Sequence, residues 1–162
     1  MTSLQERPRR PIRLAYVTAS FPYPLWSGYL RHHFLLRELA KTHATTLLSL
    51  VGEGYEPKHR RGMVGLAGIQ TFARRGGRVP RAMEVAGSKQ RSSGAVGDLC
   101  AALDAMAVRG EIDAVVVSGK DTAAAASVAV HHDLPLVVDL CDATSSRMAQ
   151  QAADARLVGR VT

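Results

Sequence analysis

A chain of 162 residues suits one domain that buries enough surface on folding to sustain a core. With 46% hydrophobic and 22% charged residues the composition is that of an ordinary soluble globular protein, and two cysteines, Cys100 and Cys141, supply neither a disulfide framework nor a metal-binding spacing. No apolar run approaches the roughly 18 residues of a membrane span, and the formal charge of +7 is accompanied by no nucleic-acid-binding motif.

Residues 1–12 read as a basic leader carrying Arg7, Arg9 and Arg10. They lack the apolar stretch of a signal peptide, so the expected location is cytoplasmic. Leu14-Ala15-Tyr16-Val17-Thr18 is a short apolar run of the kind that forms a buried strand in a parallel sheet. The loop Ser20 to Gly28 follows, where Pro22 and Pro24 prevent a helix or a central strand from continuing. Ser27-Gly28 is a helix start, and from Tyr29 to Lys41 the residues His32, Leu35, Leu36, Leu39 and Ala40 share one face. This is the opening strand, loop and helix of a Rossmann-like domain.

Ala44 to Leu50 predicts a second strand, ending at the Gly52-Glu53-Gly54 turn. That turn is no dinucleotide fingerprint, because the third glycine position is Pro57 and no helix opens there. Gly62, Gly65 and Gly68 recur every third residue, read as chance in a glycine-rich chain. A weaker strand is expected within Leu66–Ala73. The stretch 55–91 holds nine Lys or Arg against Glu56 and Glu84, which accounts for the whole net charge. It reads either as a solvated loop or as a surface for anionic lipid or an acidic acceptor, through Arg74, Arg75, Arg78 and Arg81. Past Tyr55 at its start, Phe72 is the one aromatic inside it available for stacking, too little for nucleic acid.

A short helix is expected near Ala82–Ala86. A longer one follows from Ala95 to Arg109, with Val96, Leu99, Cys100, Leu103, Met106 and Ala107 on one face and Gly110 as its C-cap. Asp113 to Ser118 is the clearest strand, Ala123–His131 a helix, Leu134 to Leu140 a strand, and Asp142 to Arg147 opens a last helix. The alternation predicts an α/β fold: a doubly wound parallel sheet in a single Rossmann-like domain, with Leu14–Thr18, Leu47–Leu50, Val115–Val117 and Leu136–Val138 as core strands.

In such a sheet ligands bind past the carboxyl ends of the strands. The first end offers Ser27, Gly28 and Arg31, either a phosphate cradle at a helix N-terminus or a tight turn beside a solvated arginine. The second, Ser118-Gly119-Lys120-Asp121, imitates the end of a Walker A loop but lacks the earlier glycine and the metal-holding hydroxyl. The third runs from Asp139 through Cys141 to Asp142, where Asp142 either orients an acceptor hydroxyl or caps the last helix. The adjacent pairs His32-His33 and His131-His132 diverge by about 100° on a helix and read as core or surface residues, not metal ligands.

Phe21-Pro22-Tyr23-Pro24, Ser27-Gly28, Arg31 and the segment Leu35-Leu36-Arg37-Glu38-Leu39-Ala40 together resemble the start of the family 4 glycosyltransferases of GT-B fold. The chain departs from that pattern with one glycine where two are usual, and Cys141 stands where relatives often place a histidine. The resemblance implies half of a GT-B fold, residues 13–162 being the N-terminal, acceptor-side domain and the donor-binding domain absent. It implies a nucleotide sugar and an acceptor as partners, a donor-binding domain in cis or trans, and no cofactor or metal. Its site residues are Asp142 as the catalytic candidate, with Ser27, Gly28, Arg31, Ser118, Gly119, Asp139 and Cys141 around the substrate or its phosphate. The alternatives are a stand-alone flavodoxin-like binding module, docking to a partner or an anionic membrane surface, and an inactive truncated relic.

Overall fold

The computed structural model describes residues 11–25, 30–74 and 84–139, with 84–93 described as backbone only. Five strands form one all-parallel sheet: β1 (Arg13–Thr18), β2 (Ala44–Val51), β3 (Gly68–Ala73), β4 (Ala114–Ser118) and β5 (Leu136–Asp139), in the order β3-β2-β1-β4-β5. The four expected core strands are all present, and β3 forms inside the weaker stretch. Tyr16 at the centre of β1 faces Leu47 on one side and Val116 on the other, which sets the register of the three central strands. The fold is Rossmann-like α/β.

Because side chains alternate along a strand, each central strand feeds two cores. Ala15, Val17, Leu48, Leu50, Val115 and Val117 face α2 (Glu84–Val108) and α3 (Ala124–His131), where Leu99, Leu103, Met106, Ala125 and Ala129 meet them. Tyr16, Leu47 and Val51 face the other way, onto α1 (Leu30–Leu39) through Leu36, joined by Phe21 and Met63. Helices therefore cover both faces, as right-handed crossovers require when the chain builds β1–β2–β3 in one direction and β4–β5 in the other. Each fully buried Leu or Val contributes about 1.5–3 kcal/mol.

Two readings of the sequence are corrected. The pattern between Ala82 and Arg109 predicts two helices, but one continuous helix, α2, runs through Ser92-Ser93-Gly94. Once a helix exists, each further residue adds a hydrogen bond, and packing on the sheet outweighs the low propensity of Ser and Gly. The expected face of α1 does meet the core, with Leu36 buried and His32, Leu35, Leu39 and Ala40 partly buried, and His33 is buried beside it. The Gly62-Gly65-Gly68 spacing is not mere chance. A side chain at Gly62 would lie 2.5 Å from the Tyr23 ring, and Gly65 adopts φ +91°. Gly62 also closes a 3₁₀ helix, Pro57–Gly62, which the sequence pattern did not indicate. Gly110 does end α2 as expected, at φ +62°, with the Glu111 amide donating to the Met106 carbonyl at 2.9 Å.

Candidate functional site

Strand order reverses between β1 and β4, which stay paired to their last residues, Thr18 and Ser118, so the connections leaving their carboxyl ends run to opposite faces of the sheet and leave a crevice. β1 leads into the loop toward α1, which brings Arg31 and His32 back over this edge. The Tyr16 hydroxyl lies 3.1 Å from His32 Nδ1, and Ser118 Oγ lies 3.4 Å from Nε2. At the end of β5, Asp139 binds Arg31 at 3.0 Å, although the Asp139 side chain is only 13% exposed. Burial pushes the His32 imidazole below its ordinary value; Asp139 opposes that shift and Arg31 adds to it. His32 thus bridges the strands as a neutral ring near pH 7.

The turn after β4 depends on Gly119. At φ 92°, ψ 150° it occupies a region open to glycine alone, and its amide donates to the Asp139 carbonyl at 3.3 Å. Thr122 Oγ1 returns to the Ser118 carbonyl at 2.7 Å and fixes the short 3₁₀ turn Lys120–Thr122. Asp121 on that turn is paired with Arg74 at 2.9 Å, and Arg74 also donates to the Ala19 carbonyl at 3.0 Å. One guanidinium at the end of β3 thereby ties the β1 loop to the β4 turn across the carboxyl edge.

Beside the crevice, past β1 and β2, lies an open cleft of about 290 Å³. Its wall is a run of rings: Phe21 sits 5.0 Å from Tyr55, Tyr55 is 5.9 Å from His59, and His59 is 6.1 Å from Tyr23. Glu53, Arg74 and the backbone of Gly52 and Gly54 supply its polar groups. Arg60 donates to the Tyr55 hydroxyl at 3.0 Å and to Thr71 Oγ1 at 2.9 Å, which holds the Tyr55 ring in place.

Of the expected site residues, the structure brings Arg31, Ser118, Gly119 and Asp139 together at one edge. Arg31 is neither a plain solvated arginine nor an unengaged phosphate ligand; its partner is Asp139. Ser27, Gly28, Cys141 and Asp142 lie outside the described residues, as do Arg75, Arg78 and Arg81. The residues not anticipated are Tyr16, His32 and the ring wall of the cleft. Their signal was positional: a histidine one turn into the helix after β1, and rings flanking the Gly52–Gly54 turn. Among the described residues no group of three His, Cys, Asp or Glu could hold a metal, and no helix is long and apolar enough to cross a membrane.

No family profile and no curated protein matches the sequence. Solved structures do match the fold. Phytolacca americana UGT2, complexed with UDP-2-fluoro-glucose and pterostilbene, aligns over 80% of this chain and 30% of its own, at 13% identity and a TM-score of 0.55. TcCGT1 in complex with UDP aligns over 79% of this chain and 28% of its own, at 13% identity and a TM-score of 0.52. The C-terminal domain of the PF1911 hydrogenase from Pyrococcus furiosus aligns over 79% of this chain and 90% of its own, at 12% identity and a TM-score of 0.53. At these identities the likeness is one of fold, shared with GT-B glycosyltransferase domains, and the chain spans under a third of either glycosyltransferase.

Proposed function

We propose that this domain is the acceptor-side half of a glycosyltransferase that uses a nucleotide sugar. The observation that carries the reading is the ring-walled cleft at the carboxyl edge, next to the reversal of strand order. Flat rings with a few fixed polar groups suit a ring-bearing, weakly charged molecule. A diphosphate needs uncommitted cations or a helix N-terminus, whereas Arg74, the arginine of the cleft, is engaged by Asp121 and the Ala19 carbonyl. The likeness to UGT2 and TcCGT1, whose structures hold UDP or a UDP-sugar, supports a nucleotide sugar as the other substrate.

In the reaction the acceptor oxygen forms a bond to the anomeric carbon while that carbon's bond to the diphosphate breaks. The hydroxyl proton passes to a base, for which Asp142 is our candidate, and the nucleoside diphosphate departs. The acceptor would lie on the rings of Tyr23 and Tyr55. Arg31 and Asp139 hold the adjoining crevice in shape, and Gly119 allows the β4 turn to approach the β1 loop.

Amide chemical-shift mapping of the isotope-labelled chain tests this. Phenyl β-glucoside is expected to shift the amides of Ser20, Gly52, Gly54 and Tyr55, and UDP-glucose to leave them unmoved. The reverse pattern would make this the donor-side half. A second reading, a self-sufficient binding module, is favoured by the 90% coverage of the hydrogenase domain. It predicts that one small molecule binds the cleft tightly with no second domain supplied.

A further inference from the structure

Among the described side chains, the two helical layers of the sheet differ in sign. On one face, α1 and its following turn, together with the 57–62 turn, carry Arg31, Arg37, Lys41, Lys58, Arg60 and Arg61 against Glu38 and Glu56. On the other, α3 and the described side chains of α2, from Gly94 to Val108, carry Asp98 and Asp104 and no lysine or arginine. The two basic elements are neighbours: the Tyr23 ring packs between them, 6.1 Å from the buried His33 of α1 and 6.1 Å from His59 of the 3₁₀ helix, and just past Val64 a side chain at Gly65 would lie 4.0 Å from Ala40 Cβ at the end of α1.

That same surface exposes apolar side chains. Leu30 and Phe34, one helical turn apart on α1, are 38% and 51% exposed, and Val64, just past the 57–62 turn, is 79% exposed. A helix facing only water would carry polar residues at such positions. Four of the six cations are engaged within the fold: Arg31 with Asp139, Lys41 with Glu38, Lys58 with Glu56, and Arg60 with Tyr55 and Thr71. Arg37 and Arg61 are exposed and have no ion pair among the described residues.

We propose that the α1 face docks onto an anionic lipid bilayer, with Leu30, Phe34 and Val64 entering the interface and Arg37 and Arg61 meeting the headgroup phosphates. Apolar residues ringed by cations fit a bilayer surface, where each cation strengthens binding about fivefold and each buried apolar group adds to it. The docking face differs from the Arg74–Arg81 stretch, whose first arginine is already held by Asp121. The first turn of α1 also lies at the carboxyl edge, so a docked domain presents its cleft beside the membrane. The inference stands whether or not the domain transfers sugar.

Co-sedimentation of the full chain with vesicles tests it, using phosphatidylcholine alone and phosphatidylcholine with about one-third phosphatidylglycerol. Binding is expected only to the anionic vesicles and should fall as salt rises, since the screening length is about 8 Å at physiological ionic strength. The pair Arg37→Ser and Arg61→Ser should weaken it about 25-fold. Phe34→Ser should weaken it too, while Val130→Ser on the opposite face should not. Melting curves show whether each variant is folded. No binding, equal binding to both vesicles, or an undiminished double variant overturns the proposal. So does loss of binding only when Arg75, Arg78 and Arg81 are replaced, which assigns the contact to the basic stretch. Self-association without vesicles that is abolished by Phe34→Ser assigns the face to a second copy.

Discussion

Replacing Gly119 by alanine isolates the backbone feature on which the site edge depends. At φ 92°, ψ 150° an alanine is strained by about 1–3 kcal/mol. The added methyl would also stand 3.1 Å from Ala19 Cβ, so two backbone segments at the carboxyl edge must part. Together these predict a loss of about 2–4 kcal/mol, a large share of the roughly 5–15 kcal/mol typical of a domain. Gly97 is the matched control. It lies inside α2 at no unusual φ, with nothing within 4 Å of an added methyl, so Gly97→Ala should stabilise by about 0.5–1 kcal/mol. Urea unfolding reads both, since a slope of about 1–3 kcal/mol per molar turns these energies into midpoint shifts of opposite sign, about 1 M or more for Gly119→Ala. A Gly119→Ala protein as stable as the parent would refute this geometry of the β4 turn and the site edge built on it.

Acid should destabilise the fold through His32 and His33, whose affinity for protons is lowered chiefly by burial. Below about pH 6.5 the unfolded chain binds protons that the folded one refuses, so stability falls with pH by up to roughly 1.4 kcal/mol per unit for each fully responding histidine. His32→Gln should flatten the slope measured by unfolding between about pH 7 and 5, and an unchanged slope contradicts the burial assigned to this ring. Gly62→Ala should push Tyr23 out of the cleft wall and weaken phenyl glucoside binding in calorimetry; unchanged binding removes Tyr23 from the site. A double-mutant cycle on Arg74 and Asp121 should give a coupling of only about 0.2–1 kcal/mol, because both side chains are about a third or more exposed. A coupling near zero would mean that Arg74 does not clasp the edge.

The strands were legible because β1, β2 and β4 are short apolar runs, buried on both faces, in a chain that alternates them with helical periods. Sheet order was not legible, because alternation and right-handed crossovers predict a parallel sheet without saying which strands lie side by side. The joined α2 was not legible, since Ser92-Ser93-Gly94 carries the marks of a boundary and only long-range packing overrides them. Ser118, Gly119 and Asp139 could be placed because strand ends are predictable. The His32 bridge and the ring wall could not, because Tyr16 meets His32 across 16 positions and Phe21 meets Tyr55 across the whole of α1 and β2. Arg74 looked like one of many cations; only tertiary structure reveals that Asp121, 47 residues on, neutralises it.

Sugar transfer itself tests the central claim most directly. Holding donor and acceptor in reacting geometry supplies roughly 7–11 kcal/mol of a barrier, a factor of about 10⁵ to 10⁸. A domain with only the acceptor cleft forfeits that factor. The purified chain should therefore give no sustained turnover with a panel of nucleotide sugars and glycoside or lipid-linked acceptors, and turnover should appear when a donor-binding domain is supplied. Sustained transfer by this chain alone, abolished by Asp142→Ala, would contradict the account.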